Sequence, residues 1–238
     1  MIRTFYRILV ATLALGATLT LSQSVALADV TLTFTGPTPS LSLGGEYTSP
    51  YVFNINNVST PVLLACDDFY SNISDGDSWT ARLIPLDKAG EANKGKFNLQ
   101  ANAQDEYNAA GWLAQQVMST WSSNPTLSEQ YSWAIWEIFA LGAGKNVIIG
   151  NSNIGDDKAQ DALWQIVGSH ITDAYFAVQH GADLSDVYVY TPTSPTKRGT
   201  DPQEFFFVPE ASTPAFLVFN LLALPGVLFL LRRRCLRG

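Results

Sequence analysis

Cysteine is almost absent from this 238-residue chain, which has only Cys66 and Cys235. One cysteine in the body excludes a disulfide framework, a CxxC redox pair and a thiolate zinc cluster. Histidine is as scarce. His170 and His180 stand ten positions apart, which on a helix is roughly 80° of rotation and about 15 Å of rise, so they are no metal pair. There is no HExxH, Walker A, GxGxxG or GxSxG stretch, so the zincin, P-loop, dinucleotide and hydrolase-elbow signatures are missing. A Ser-His-Asp set assembled from distant positions, and with it an extracytoplasmic hydrolase, stays open. Positive charge is short too. From Asp29 to Pro209 there are eight Lys and Arg against twenty Asp and Glu, a net charge of −12. That balance argues against nucleic acid or an anionic lipid surface as a partner. No cofactor is implied.

Long apolar runs occur only at the two ends. Arg3 and Arg7 precede an apolar stretch from Ile8 to Leu21, and Ala26-Leu27-Ala28 has the small-x-small cleavage pattern. Residues 1–28 therefore read as a signal peptide for Sec-type export, with Asp29 as the mature N-terminus. At the other end, Ala215 to Leu231 carry no charge, and twelve of these 17 residues are Leu, Val or Phe. A helix of that length spans about 26 Å against a roughly 30 Å hydrocarbon core. Its apolar side chains contribute roughly −4 to −7 kcal/mol to insertion. Asn220, Pro225 and Gly226 take back part of this. A span over about 214–231 follows, and Arg232, Arg233, Arg234 and Arg237 form a cytoplasmic stop. The body between the two ends would be held outside the inner membrane.

Val208-Pro209-Glu210-Ala211-Ser212-Thr213, the apolar run and the arginine cluster, in that order, resemble the PEP-CTERM sorting signal of Gram-negative bacteria. Ala211 stands where the usual motif has a second proline. The resemblance covers residues 208–238 and implies processing by exosortase. The product would be a cell-surface or secreted protein of the extracellular, exopolysaccharide or biofilm matrix, with a structural or interaction role and no enzymatic activity.

The body is expected to be one extracytoplasmic α+β domain over 29–190. Val30–Thr35, Tyr51–Ile55, Pro61–Cys66 and Ser78–Ile84 are β-rich runs separated by Gly44-Gly45, Asn56-Asn57 and Asp75-Gly76 turns, which suggests an antiparallel sandwich or barrel. Residues 101–181 then change to helical spacing, a three-helix insertion. The first helix runs from Asn102 to Trp121, with Asn124-Pro125 as a breaker. The second runs from Thr126 to Leu141, opened by a Thr126/Glu129 capping box. The third runs from Asp156 to Gln179. Asp186–Tyr190 and Glu204–Val208 read as returning strands, and residues 191–207 as linker plus last strand.

A second resemblance lies inside the body. Val62-Leu63-Leu64-Ala65-Cys66-Asp67-Asp68 on a strand, and Tyr131-Ser132-Trp133-Ala134-Ile135-Trp136 on a later helix, resemble the thioester domains of bacterial surface adhesins. In those domains a strand Cys and the Gln of a Thr-Gln-x-Ala helix motif form an internal thioester that a host amine attacks. The resemblance implies Cys66 as the reactive thiol of a covalent adhesin. Ser132, however, stands in the Gln position and Tyr131 in the Thr position, and serine has no carboxamide. Gln130 lies about 200° around the helix from Ser132. Without a thioester, Cys66 is a buried small hydrophobe. Asp67, Asp68, Asp75 and Asp77 are candidate oxygen ligands for Ca²⁺, or ordinary turn residues. The six tryptophans are expected in the core, with sugar stacking as the alternative.

Overall fold

The structure is a computed structural model that describes residues 29–38, 41–141 and 147–209. The signal peptide, the span and the arginine cluster expected from the sequence lie outside the described residues. Within them, no helix is long and apolar enough to cross a membrane.

Six antiparallel strands close into a barrel: β1 (Val30–Pro37), β4 (Tyr51–Ile55), β5 (Val62–Cys66), β6 (Ser78–Pro85), β7 (Tyr188–Pro192) and β8 (Phe205–Phe207). Around the barrel the order is β1-β4-β5-β8-β7-β6, and β6 returns to β1 through pairs such as Leu32 with Trp79. Closure leaves no free sheet edge. Along β1 every second residue is buried, as the strand period requires. Leu32, Phe34, Phe53, Trp79 and Phe205 fill the interior. The Phe53 ring lies edge-on to Phe205 with centroids 4.7 Å apart, and edge-on to Trp79 at 5.8 Å. Such pairings add about 0.5–1.5 kcal/mol each beyond area burial.

On the opposite side, β5, β7 and β8 bury both faces. Leu64, Cys66, Tyr190 and Phe205 point into the barrel, while Ala65, Val189 and Phe206 face the helices. This is why Val62–Cys66 and Phe205–Phe207 read as unbroken apolar runs. The helical layer has three members: α1 (Ala103–Thr120), α2 (Pro125–Leu141) and α3 (Asp157–Gln179). Of these, α1 packs on β5 and β8 and α2 on β5, while α3 packs across α1 and α2. Within α2, every residue from Ser132 to Ala140 is buried. That is the signature of a helix enclosed on all sides.

Several expectations need correction. Pro125 is the first residue of α2, and the Asn124 side chain accepts from the Leu127 amide at 3.4 Å. The Thr126/Glu129 capping box does not form, because the Glu129 carboxylate is turned away to the Ser42 amide at 3.0 Å. Asn-Pro is thus a cap followed by an N1 proline. Gly44-Gly45 sits inside a hairpin of two-residue strands, β2 (Ser42–Leu43) and β3 (Glu46–Tyr47), with φ of 64° and 84° at the two glycines. Residues 191–201 are no free linker. Thr191 and Pro192 belong to β7, and the Thr193 and Lys197 amides donate to Thr80 and Ser78 carbonyls of β6 at 2.8 and 3.1 Å. With β8 in the barrel wall, the folded unit runs through 207 rather than ending at 190.

Phe53→Ala removes the ring at the centre of the barrel. It should lower unfolding free energy by roughly 3–5 kcal/mol, read as a shift of the urea midpoint at unchanged slope.

Candidate functional site

The chemistry-bearing residues gather where β5 and β8 meet α1 and α2. Paired β5 and β8 set Cys66 opposite Phe205, so Asp67 and Glu204 leave the barrel wall side by side, joined by the Asp67 amide and the Glu204 carbonyl at 3.4 Å. Glu204 is fully buried and Asp67 is 1% exposed. Glu204 collects donors from three parts of the chain. The Tyr107 hydroxyl of α1 donates to Oε1. The Thr191 hydroxyl of β7 and the Lys96 amide donate to Oε2, the latter at 2.8 Å. Tyr107 in turn accepts from the Phe97 amide at 2.9 Å. The Gly95–Phe97 loop presses so closely here that a Cβ on Gly95 would lie 2.3 Å from the Tyr107 oxygen.

The Asp67 oxygens have no donor to accept from; their partner is the Glu204 carboxyl. Two carboxyl groups in contact form a hydrogen bond only when one keeps a proton. Burial, then the Glu204 charge, pushes the Asp67 carboxyl well above the usual range. Burial also raises Glu204, opposed by the hydrogen bonds from Thr191, Tyr107, Asp67 and the Lys96 amide. A proton-sharing pair of this kind serves acid–base chemistry when a cleft exposes it. This one is sealed, and ties strands, helix and loop together.

Asp68 turns the other way. Its Oδ2 lies 2.6 Å from Lys96 Nζ, and its Oδ1 accepts from the Tyr70 and Ser71 amides at 3.0 and 3.2 Å. The same ammonium also contacts Asp201 at 2.9 Å, Ser71 Oγ at 2.9 Å and the Pro202 carbonyl at 3.0 Å. The buried Asp77 carboxylate pairs with Arg198 at 3.0 Å and accepts from the Ser74 amide. Among the described residues no three His, Cys, Asp or Glu side chains are placed to hold a metal. The four candidate calcium ligands do not converge, since Asp67, Asp68 and Asp77 each have a different partner.

Cys66 is fully buried at the barrel mouth. Its amide donates to Ser49 Oγ at 2.9 Å, and the Ser49 amide donates to Ser132 Oγ at 3.2 Å. The fold thus joins the cysteine strand to the Tyr131–Trp136 helix, with Ser132 at the junction. The Cys66 thiol donates to the Asp68 carbonyl at 3.4 Å. Burial pushes the thiol pKa well above its ordinary value. The Trp136 indole lies nearby, but its N–H has no partner of hydrogen-bonding geometry. Gln130 faces His170 at 3.4 Å and Gln115 donates to the Asp183 carbonyl at 3.0 Å, so neither carboxamide is at Cys66. Gln203 does come close: it donates at 2.8 Å to the Asp68 carbonyl that accepts the thiol. His180 Nδ1 bonds the Phe176 carbonyl at 2.8 Å. Among the described residues neither histidine bonds a hydroxyl or thiol. Trp79, Trp133 and Trp136 are buried, while Trp112, Trp121 and Trp164 are half-buried.

Lys96, Tyr107, Thr191, Gln203 and Glu204 went unseen in the sequence. Lys96 and Tyr107 lie 108 and 97 positions from Glu204, so no local spacing announces them. The one available signal was a glutamate immediately before the Phe205–Phe207 run.

No family model, curated protein or solved structure matches this chain.

Glu137 supplies a test of burial. Its side chain is inaccessible, Oε1 accepts from the Ile148 amide at 2.8 Å, and Oε2 has no partner among the described residues. Burial pushes its carboxyl up to about 7 from an ordinary 4.5. The folded chain then holds a proton that the unfolded chain releases. The stabilisation is complete below about pH 4.5 and is lost as pH rises through about 7. The stability difference between the native chain and Glu137→Gln should therefore change by about 3 kcal/mol between pH 4.5 and 8, to the native chain's disadvantage at high pH. Urea unfolding of both proteins across that range checks it.

Proposed function

We propose that this chain is an exported surface or extracellular-matrix protein, sorted through its C-terminal segment by exosortase, with a structural or interaction role and no enzymatic activity. The observation that carries the reading is the order of three parts at residues 208–238. They are Val208-Pro209-Glu210-Ala211-Ser212-Thr213, an uncharged run, and Arg232, Arg233, Arg234 and Arg237. The fold is compatible with it. The last barrel strand ends at Phe207, two residues before Pro209, so cleavage beyond Pro209 leaves the barrel whole. Before processing, the apolar run holds the chain in the inner membrane with the barrel outside. Afterwards the barrel is released to the surface, with exopolysaccharide as the candidate matrix partner. The acidic surface suits export and solubility.

The covalent-adhesin reading is favoured by one observation, the Cys66–Ser49–Ser132 hydrogen-bond chain that sets the cysteine strand against the motif helix. Ser132 then occupies the place of the thioester glutamine. It supplies a hydroxyl that donates to the Ser128 carbonyl at 3.1 Å. We propose that the scaffold is kept and the thioester is not.

Both readings meet in one mass spectrum. In protein recovered from an exosortase-positive host, the C-terminus should fall between Pro209 and Ser212, and the mass should match a free Cys66 thiol. A chain retaining Arg232 to Gly238 contradicts the sorting. A mass lower by one ammonia, restored by methylamine addition, would establish the covalent adhesin.

A further inference from the structure

The chain enters and leaves the barrel at the same end. β1 starts at Val30 beside β4, and β8 ends at Phe207 beside β5. The registers of Leu32 with Ile55 and of Ala65 with Phe206 set the two exits on either side of the β4–β5 turn, Asn56 to Pro61. We infer that this turn is a docking surface for lipid, resting on the headgroups of the bilayer that anchors the chain before processing. The inference rests on the anchored precursor proposed above and names the face that it presents to the membrane.

The tether is the first argument. Only Glu210 to Thr213 separate Pro209 from the expected span over about 214–231. Four residues reach at most about 14 Å, and roughly 6 Å of that crosses the headgroup layer. A domain of this size has a radius of gyration of about 16 Å. The exit end of the barrel is therefore held at the lipid surface, and the far end is out of reach.

Charge is the second. From Val30 to Cys66 the only charged residue is Glu46, which belongs to β3, ahead of β4. Acidic residues gather at the opposite end of the barrel. Asp67 and Asp68 follow β5, Asp75 and Asp77 precede β6, and Asp201 and Glu204 precede β8. At the exit end, Asp29 pairs with Arg82 at 3.2 Å, and after β6 Lys88 pairs with Glu91 at 3.0 Å. Asp186 precedes β7, which stands opposite β4 in the six-strand ring. This asymmetry turns the acidic end away from headgroup phosphates and the uncharged turn toward them.

The turn itself is the third. All its residues are exposed, Val58 at 56%. Asn56 and Asn57 take φ of 53° and 60°, the left-handed region that asparagine tolerates. The Asn56 amide donates to the Thr31 carbonyl at 2.8 Å, and its Oδ1 accepts from the Thr31 amide at 2.9 Å. The turn is thereby fixed to β1. Val58 forms an apolar tip, and Asn57, Ser59 and Thr60 are uncharged groups able to bond ester and phosphate oxygens.

The test uses the full chain with Cys235→Ser in mixed phosphatidylcholine and phosphatidylglycerol vesicles that carry a headgroup nitroxide. A fluorophore is placed at Val58→Cys or, at the opposite end, at Ser74→Cys; both positions are exposed and Cys66 is buried. Flotation with the vesicles reports the anchor. In floated protein, quenching at 58 should exceed that at 74 by about threefold or more, because the two ends stand a strand length of roughly 17–20 Å apart. With the fluorophore moved to Thr60→Cys, the pair Asn57→Asp with Val58→Asp should cut quenching by about twofold or more through repulsion, with circular dichroism unchanged. Equal quenching at 58 and 74, or none at 58, overturns the inference and leaves the anchor standing. Quenching at 60 that ignores the two aspartates also overturns it, since the tether alone then brings the turn near. Failure to float refutes the anchored precursor, and the inference falls with it.

Discussion

A single buried carboxylate, Glu204, holds the two layers of this protein in register. It ends the return segment before β8 and accepts from α1 through Tyr107, from β7 through Thr191 and from the 95–97 loop through the Lys96 amide. A buried charge costs several kcal/mol to desolvate, and only a full set of donors offsets that. The donors come from elements that are far apart in sequence, so the charge is satisfied only when barrel and helices have both assembled. Asp67 stands against it, its own carboxyl pushed well above the usual range by burial and the Glu204 charge. Once the set is complete, Lys96 is placed with its ammonium on Asp68 and Asp201, which ties the segment after β5 to the segment before β8.

The same region explains the fate of Cys66. Alternation along β5 turns Leu64 and Cys66 inward and Ala65 toward the helices. The cysteine therefore faces the barrel core, with two carboxylates directly after it. Burial there disfavours a thiolate. Ser49 and Ser132 meanwhile bind strand to helix by ordinary hydrogen bonds, in the position where the resemblance to thioester domains would place a covalent bond.

Periodicity carried most of the secondary structure. Tyr51–Ile55 was read with both ends correct, and the three helices were placed within one residue at each end. These segments obey local rules of alternation and helical spacing. What escaped depended on distance or on brevity. The β2–β3 strands have two residues each, too few to show a period, although the Gly44-Gly45 turn between them was visible. Pro192 and Pro195 made residues 191–201 look like a linker, whereas backbone bonds to β6 hold them on the barrel. Asn124-Pro125 looked like a helix breaker because the pair ends one helix, yet it also begins the next. The Glu204 cluster was illegible for a deeper reason. Its members are common residues whose meaning comes only from the sheet closure that brings them together.

If Glu204 is the joint between barrel and helices, its bond to Tyr107 must be energetically coupled. A double-mutant cycle of Glu204→Gln and Tyr107→Phe, read by urea unfolding, tests this most directly. The account predicts that the two losses overlap, with a coupling energy of about 1–3 kcal/mol. Losses that simply add, to within about 0.3 kcal/mol, would contradict it.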